Sequence, residues 1–276
     1  MSTMTIDSLT ESIGAQIIGV GRDRLVGDDA LPGEILRALD AHGVLVWRDL
    51  HLDDATQVAL SKRLGRVEIF GKGEFPEIFR VTLDPKKNPA AAYLRGTFDW
   101  HIDGCTDDVP IMATLLSAHA VAESGGETEF ASTYAAFERL SAGEQERYLK
   151  LRVVHTFEAS QRLFNHDPSP EELAIWRRRP SKEHPLVWTH RGGRRSLVLG
   201  ATTDHVVGMD RDEGTALLAD LLARSTPPEQ VYRHEWAVGD LVIWDNRGVL
   251  HRACPYDPAS PRDMHRTTLH GVEAIQ

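Results

Sequence analysis

Two stretches of the sequence carry side chains that can bind a metal ion. His101 and Asp103 stand two residues apart in Trp100-His-Ile-Asp, and residues i and i+2 of an extended strand point to the same face. His251 follows the apolar run 241–244 and a polar turn, at a predicted strand end, where functional residues are common. Taken alone, the first pattern is more often a hydrogen-bonded His–Asp pair, and the second a structural histidine.

The three side chains together make a donor set with a specific chemistry. Two imidazole nitrogens and one carboxylate oxygen form the facial triad of non-haem Fe(II) oxygenases, which leaves coordination positions open on one side. Those positions suit a bidentate 2-oxo acid and O2. A set of thiolates would favour zinc instead. His101, Asp103 and His251 are therefore the predicted ligands of an Fe(II) ion.

Two arginines near the end of the sequence offer a clamp for a carboxylate. Arg262 and Arg266 both follow His251, the second of them in a segment whose alternation predicts a strand. A planar guanidinium binds a carboxylate through two parallel hydrogen bonds. A diacid co-substrate that chelates the metal at one end needs such a partner at the other end. The alternative is a pair of surface arginines in a polar strand.

The elements that must position these residues are mostly short strands. Apolar or alternating runs bounded by turn residues predict strands at 14–20, 44–47, 78–82, 110–121, 185–189, 196–200, 230–236, 240–244 and 266–271. Helical patterns cover 32–41, 53–64, 132–151, 171–178 and 211–224, and the turn-rich segment 84–96 predicts a long loop. Many short strands with few helices favour a β-sandwich or barrel with helical insertions, and the pattern alone leaves its topology open.

Four segments match one enzyme family in order and spacing. They are Trp100-His-Ile-Asp, Gly125-Gly-Glu-Thr-Glu-Phe, Gly239-Asp-Leu-Val-Ile-Trp-Asp-Asn-Arg with His251-Arg, and Met264-His-Arg-Thr-Thr. On these segments the chain resembles the taurine dioxygenase and 2,4-dichlorophenoxyacetate dioxygenase family of Fe(II)- and 2-oxoglutarate-dependent enzymes, over nearly its whole length. The resemblance implies a mainly β fold with helical insertions, the double-stranded β-helix or jelly roll, in a single domain over residues 1–276.

The resemblance also implies roles for individual residues beyond the metal ligands. Arg266 binds the distal carboxylate of 2-oxoglutarate, and Thr128 donates its hydroxyl to the same carboxylate. Arg262 approaches the carboxylate that chelates the iron. Residues 244–246 look like framework residues without a chemical role. The implied reaction is hydroxylation of a substrate by O2, coupled to decarboxylation of 2-oxoglutarate to succinate and CO2.

The substrate pocket is expected to be walled by residues 65–74 and by the loop before the metal ligands. The taurine enzymes of the family place a sulfonate-binding histidine in the first segment, and this chain has none there. Phe70 suits an apolar or aromatic body, and Lys72 or Arg95 can meet an acid group. We therefore expect a small organic acid, of the aryloxyalkanoate kind or another carboxylate, in preference to taurine.

Two other classes of protein use similar donor sets. A non-catalytic metal-binding jelly roll, acting as a sensor or binding protein, predicts metal binding without turnover, but it has no need of a diacid clamp. A zinc hydrolase needs a general-base carboxylate beside the metal. Only Asp107 or Asp108 could be proposed for that role.

Composition limits the partners and the compartment. The 276 residues carry 31 Lys and Arg against 41 Asp and Glu, a net charge of −10, which disfavours binding to nucleic acid. No apolar run reaches the roughly 18 residues needed to cross a bilayer, and no secretory signal is visible. Cys105 and Cys254 show no zinc-finger spacing and indicate a reducing compartment. We expect a cytoplasmic homo-oligomer whose partner is a small-molecule substrate, and neither nucleic acid nor a membrane.

Overall fold

Fifteen strands form the framework of the computed structural model of the protein, which describes residues 3–276. They are β1 (Thr5–Ser8), β2 (Ala15–Ile18), β3 (Val44–Trp47), β4 (Phe79–Val81), β5 (Ala113–Ala120), β6 (Thr128–Ser132), β7 (Arg152–His155), β8 (Lys182–Pro185), β9 (Val187–Thr189), β10 (Arg195–Leu197), β11 (Thr203–Val206), β12 (Val231–His234), β13 (Leu241–Asp245), β14 (Val249–Ala253) and β15 (Asp263–Leu269). Two small sheets, β11-β7-β8 and β10-β9, lie outside the main pair described next.

Two larger sheets share the central core. The first has the strand order β1-β2-β3-β13-β5-β15-β4, and the second has the order β12-β6-β14. Neighbouring strands are antiparallel except β2 and β3. Phe130 and Tyr232 of the three-stranded sheet join one buried cluster with Leu116, Val242 and Met264 of the seven-stranded sheet. This arrangement is the jelly roll that the resemblance implies.

Eight α-helices accompany the sheets in the described residues. They are α1 (Arg22–Gly27), α2 (Leu31–His42), α3 (Asp54–Leu64), α4 (Thr133–Glu138), α5 (Ala142–Tyr148), α6 (Phe157–Arg162), α7 (Pro170–Trp176) and α8 (Arg211–Ser225), with 3₁₀ helices at Ala91–Phe98 and Pro228–Gln230. The side chain of Asp53 caps α3 by accepting from the Thr56 N–H over 2.8 Å. None of the helices within residues 3–276 combines the length and the hydropathy that spanning a membrane requires.

The central strands β3 and β13 of the seven-stranded sheet are buried on both faces. Helices α2 and α3 cover its outer face, where Leu60 joins a cluster with Leu115 and Ile243. Val242, the residue before Ile243 on β13, belongs instead to the core between the two sheets. Successive side chains of a strand point to opposite faces, so β13 is apolar throughout because each face meets a different core.

Most predicted elements occur with shifted ends, and two important strands were not predicted. The helices expected at 32–41, 53–64 and 211–224 are α2, α3 and α8, whereas 132–151 divides into α4 and α5 and the expected loop 84–96 runs into a 3₁₀ helix. The sequence pattern does not reveal β6 or β14. Every residue of β6 is buried, polar ones included, because β6 is the central strand of its sheet, and so its sequence does not alternate.

Candidate active site

Backbone hydrogen bonds bring the two predicted histidine ligands together. The N–H of His101 donates to the carbonyl of His251, and the N–H of His251 donates to the carbonyl of His101, each over 3.0 Å. His251 lies within β14 and not at a strand end, whereas His101 makes only an isolated bridge. Asp103 lies in the turn that follows, so a turn and not an extended strand aims its carboxylate. Gly104 has φ of 82°, and a Cβ there would be 2.8 Å from the Ile111 nitrogen, so the turn requires glycine.

The three predicted ligands converge on one point. Asp103 Oδ1 lies 3.7 Å from His101 Nε2, and Asp103 Oδ2 lies 3.7 Å from His251 Nε2. One ligand atom of each residue lies within 4.8 Å of the other two. His101 Nδ1 lies 2.9 Å from the carbonyl oxygen of Asp99, which can only accept, so Nδ1 carries the proton and Nε2 offers its lone pair to a metal.

Burial and mutual contact set the charges of these ligands. Burial first, and then the neighbouring His101, lower the pKa of His251 to about 3, so its imidazole is neutral at pH 7. Burial raises the pKa of Asp103, but His251, Arg266 and His101 together outweigh burial and leave it below the usual value. A neutral imidazole and an ionised carboxylate are the forms that bind a metal.

A chain of hydrogen bonds supports Asp103 from the core. Trp244 Nε1 donates to Asn246 Oδ1 over 3.1 Å, Asn246 Nδ2 donates to Thr114 Oγ1 over 3.0 Å, and Thr114 Oγ1 donates to Asp103 Oδ2 over 3.2 Å. The indole and amide N–H groups can only donate, so the hydroxyl proton of Thr114 is left for the carboxylate. Trp244 and Asn246, which the resemblance left without a chemical role, thus hold a metal ligand in place.

Thr128 and Arg262 mark a second, deeply buried end of the site. Trp236 Nε1 donates to Thr128 Oγ1 over 3.0 Å. Arg262 Nη2 donates to the carbonyl of Gly126 over 3.2 Å, and its Cζ lies 4.8 Å from the centre of the Tyr256 ring. Arg262 is only 3% exposed, and burial lowers its pKa. No carboxylate within residues 3–276 forms an ion pair with this guanidinium. A desolvated cation of this kind is unfavourable until an anion joins it.

Arg266 lies at the metal end instead. Its Nη1 is 3.9 Å from Asp103 Oδ2, and its buried Nε has no hydrogen-bond partner in the described part of the chain. The resemblance implies the opposite distribution, with Arg266 at the distal carboxylate and Arg262 at the chelating one. Arg266 belongs to β15, paired with Leu116 of β5, whereas Arg262 precedes that strand and reaches the segment around Gly126. Because of this difference in backbone position, Arg266 lies near Asp103 and Arg262 lies near Gly126.

One cavity is lined by residues of both ends. Its wall contains two of the three metal ligands together with Thr128 and both arginines. The remaining wall is mainly apolar and consists of Val81, Leu94, Phe98, Leu116, Trp244 and Ala253, with Thr97 and Tyr256. The cavity therefore offers polar groups at two places and an apolar surface between them.

The three residues expected to bind the substrate lie outside this wall. Phe70 is 37% exposed and packs against Phe79 with ring centres 5.3 Å apart, and its ring centre lies 5.5 Å from the Arg266 guanidinium. Lys72 is exposed. Arg95 is also exposed and lines a separate groove beside α7, although its neighbour Leu94 faces the cavity. Phe70 thus flanks the site, and neither Lys72 nor Arg95 is placed to meet an acid group there.

Sequence reasoning missed three residues that contact the site groups: Thr114, Trp236 and Tyr256. Trp236 ends a predicted strand and Thr114 lies in another, but neither belongs to a motif. Their importance comes from contacts with residues far away in the sequence, as in the bond from Asn246 to Thr114. The half-buried indole of Trp236 contacts the ring of His234, two residues earlier, with ring centres 4.3 Å apart.

The residues present fit Fe(II) and 2-oxoglutarate. Two imidazoles and one carboxylate, with an open cavity on one side, are the donor set of Fe(II) oxygenases. The buried cation of Arg262, which has no acidic partner within residues 3–276, lies beside the same cavity as the Thr128 hydroxyl and fits a carboxylate away from the metal.

Several proteins that are similar to this chain are named as dioxygenases. The model of the family described as taurine catabolism dioxygenase TauD, TfdA family, matches residues 5–268. The alpha-ketoglutarate-dependent 2,4-dichlorophenoxyacetate dioxygenase of Cupriavidus pinatubonensis is 38% identical over 251 residues, covering 85% of this chain and 87% of that protein. The (S)-phenoxypropionate/alpha-ketoglutarate-dioxygenase of Sphingobium herbicidovorans is 30% identical over 282 residues, covering 98% of this chain and 96% of that protein.

Solved structures agree with the sequence relatives. The crystal structure of AAD-2 in complex with Mn(II) and N-oxalylglycine matches with a TM-score of 0.85 and 31% identity, covering 99% of this chain and 100% of that chain. A metal and an oxalyl compound bound to a relative of this likeness favour a catalytic dioxygenase over the sensor or binding protein. The chain belongs to the TauD/TfdA family and is an Fe(II)- and 2-oxoglutarate-dependent dioxygenase with a jelly-roll fold.

Proposed function

We propose that this dioxygenase hydroxylates a small organic acid with an apolar or aromatic body, and that Arg266 binds the acid group. The observation that carries the proposal is the buried, unpartnered Nε of Arg266 beside the metal ligand Asp103. A carboxylate can accept two hydrogen bonds from a guanidinium. Relatives named for 2,4-dichlorophenoxyacetate and (S)-phenoxypropionate support this class of substrate.

The body of the substrate is assigned to the apolar part of the wall. Leu94, Phe98 and Leu116 line the cavity, and Phe79 and Phe70 flank the guanidinium of Arg266. Burying an apolar ring against these side chains is favourable, by about 25 cal/mol for each Å² removed from water. Phe70 keeps the role expected from the sequence, and Arg266 replaces Lys72 and Arg95 as the partner of the acid.

We also propose that Arg262 and Thr128 hold the carboxylate of 2-oxoglutarate that lies away from the metal. Arg262 is buried without an acidic partner among the described residues, and an incoming carboxylate would neutralise it. Trp236 donates to the Thr128 oxygen, so the Thr128 proton is free to be donated to the carboxylate. A guanidinium keeps its charge in proteins, and the bond to the Gly126 carbonyl holds that of Arg262 in position.

The remaining residues position the reacting groups. When bound, Fe(II) supplies the chemistry that couples decarboxylation of 2-oxoglutarate and reduction of O2 to oxidation of a C–H bond. The three predicted ligands would hold the metal at the cavity, with the carboxylate of Asp103 fixed by its bond from Thr114. The apolar wall keeps the reacting carbon out of water, which suppresses side reactions.

Succinate release in the presence of candidate acids tests the substrate class. Wild-type enzyme should release succinate faster with aryloxyalkanoic acids than with taurine. Arg266→Ala should raise the KM for the acid by roughly 30-fold to a few thousand-fold, as expected when one member of a buried charge pair is removed. The matched controls Arg95→Ala and Lys72→Ala should keep the wild-type KM.

Two outcomes would contradict the proposal. Equal turnover of taurine and of the best acid would show that the apolar wall does not select the substrate. A rise in the KM for 2-oxoglutarate in Arg266→Ala, with the KM for the acid unchanged, would return Arg266 to the co-substrate.

We further propose that the enzyme is a cytoplasmic homo-oligomer. Ile69, Val109 and Val272 are 57%, 41% and 69% exposed, and large apolar side chains of this kind are often covered in an assembly. Cys105 and Cys254 are both free thiols, which suits a reducing compartment. Light scattering of the purified chain tests the assembly, and a monomeric mass would contradict it; cell fractionation tests the compartment.

A further inference from the structure

We propose that Asp54, His119 and His265 form a second site for a divalent transition metal, with Zn²⁺ as its probe. The site shares no residue with the iron ligands. One ligand atom of each of the three residues lies within 4.8 Å of the other two.

The sheet places this cluster on the face opposite the catalytic cavity. His265 pairs with Ser117 across β15 and β5, and His119 follows Ser117 by two residues on the same face. Arg266, next to His265, points the other way into the cavity. Helix α3 covers the outer face here, as Gln57 donates to the carbonyl of His265 over 2.9 Å. Asp54, the first residue of α3, therefore lies directly over the two histidines.

The three side chains already touch. His265 Nδ1 lies 2.5 Å from Asp54 Oδ1, and the rings of His119 and His265 have centres 3.7 Å apart at an angle of 20°. His119 Nε2 lies 3.2 Å from the hydroxyl of Ser117. Because the two rings are nearly parallel, one of them must turn before both can point a nitrogen at the same ion.

The charges around the cluster leave one negative group for a cation. Asp263 lies 3.8 Å from His265 Nε2, but it is already paired with Arg80 and with Lys87. Asp54 is the carboxylate that remains, and its side chain is 28% exposed. Burial and the neighbouring His265 lower the pKa of His119, which keeps that imidazole in the neutral form that binds a metal.

The donor set determines which ion the site would take. Two imidazoles and one carboxylate suit zinc and the other late divalent metals, whereas Mg²⁺ and Ca²⁺ prefer oxygen ligands alone. The partial exposure of Asp54 leaves room for water to complete the coordination. Such an ion would connect the first turn of α3 to the ladder between β5 and β15.

Zinc stoichiometry of the full chain tests the proposal independently of catalysis. After equilibration with Zn²⁺ and gel filtration, elemental analysis should give two equivalents for the wild type and one for His119→Ala or for His101→Ala. The double variant should retain less than a tenth of an equivalent. His166→Ala, an exposed histidine outside both clusters, is the matched control and should retain two.

Thermal unfolding provides a second readout. In the His101→Ala background, which lacks the first site, Zn²⁺ should raise the Tm, and adding His119→Ala or His265→Gln should remove that rise. A wild type that binds one equivalent, or a His119→Ala variant that still binds two, would overturn the second site. Iron-dependent succinate release by His119→Ala should stay at the wild-type level, so the result does not depend on the catalytic proposal.

Discussion

The two ends of the catalytic cavity differ in how completely the protein satisfies its own polar groups. At the end formed by Thr128 and Arg262, Trp236 and Gly126 already provide hydrogen bonds. At the metal end, one nitrogen of each histidine lies close to the Asp103 carboxylate, and the buried Nε of Arg266 has no hydrogen-bond partner in the described part of the chain. Hydrogen bonds therefore order both ends before any ligand arrives. The end formed by Thr128 and Arg262 still has a buried cation to neutralise, whereas the metal end has ligand atoms that can bind an ion.

The strongest test of this difference removes one group from each end. His251→Ala should reduce Fe(II)-dependent succinate release below detection, because two ligands do not hold Fe(II) in the site. Arg262→Ala should still turn over when 2-oxoglutarate is saturating. Substantial succinate release by His251→Ala at saturating Fe(II) would remove His251 from the ligand set.

The next largest effect concerns the end formed by Thr128 and Arg262, called the remote end below, and its affinity for the carboxylate of 2-oxoglutarate. Arg262→Ala should raise the KM for 2-oxoglutarate by roughly 30-fold to a few thousand-fold, because a buried charge-assisted pair is lost. Arg262→Lys should recover only part of the loss, since an ammonium cannot reproduce the planar fork. Steady-state kinetics with varied 2-oxoglutarate gives both values, and an unchanged KM in Arg262→Ala would contradict the assignment.

A smaller effect follows from the titratable groups, which differ between the two ends. The pKa of His251 is about 3 in the folded chain, below the value of about 6.5 in the unfolded chain. Below pH 6.5 the unfolded state therefore binds a proton that the folded state does not. The metal-free enzyme should lose stability as the pH falls from about 6.5 toward 3, by about 2 kcal/mol at pH 5 from this group.

Urea unfolding at pH 7.5 and pH 5 measures this loss. His251→Gln should lose less stability between the two pH values than the wild type, and His166→Gln, at an exposed position, should lose as much as the wild type. The same pH dependence in His251→Gln and in the wild type would show that His251 is not the group responsible.

The smallest effect tests how the remote end is ordered. Trp236→Phe removes one neutral hydrogen bond to Thr128, worth about 0.5–1.5 kcal/mol, and should raise the KM for 2-oxoglutarate about two- to tenfold with kcat unchanged. In a Thr128→Ala background the same substitution should have no further effect. An equal effect in both backgrounds would mean that Trp236 acts by packing and not through the Thr128 hydroxyl.

The candidate metal ligands could be chosen from the sequence because their residue types indicate their role. A histidine, an aspartate and a second histidine in family spacing are recognisable without coordinates. The roles of Arg262 and Arg266 could not be divided in this way, since both are the same residue type and lie four positions apart. Their proposed roles differ because Arg266 lies within β15, whereas Arg262 lies just before it.

Most of the fold was also predictable from local sequence patterns. The elements that were missed, such as β6, depend on contacts between segments far apart in the sequence. Apolar runs such as β13 and amphipathic runs such as α2 carry their own signal. Strand β6 buries the polar residues Thr128 and Glu129 because it is paired with β12 on one side and with β14 on the other. These pairings are visible in the structure and not in the sequence. The cluster of Asp54, His119 and His265 is equally invisible in the sequence, where no motif connects its members.

The backbone bridge between His101 and His251 has a consequence for the lifetime of the enzyme in the cell. An ion held by His101, Asp103 and His251 would act as a reversible cross-link between the turn at Asp103 and strand β14. Occupancy of the site would therefore protect the turn from proteases, because an ion that binds only the folded chain lowers the population of opened forms. Iron supply would then govern how long each molecule survives as well as how fast it works.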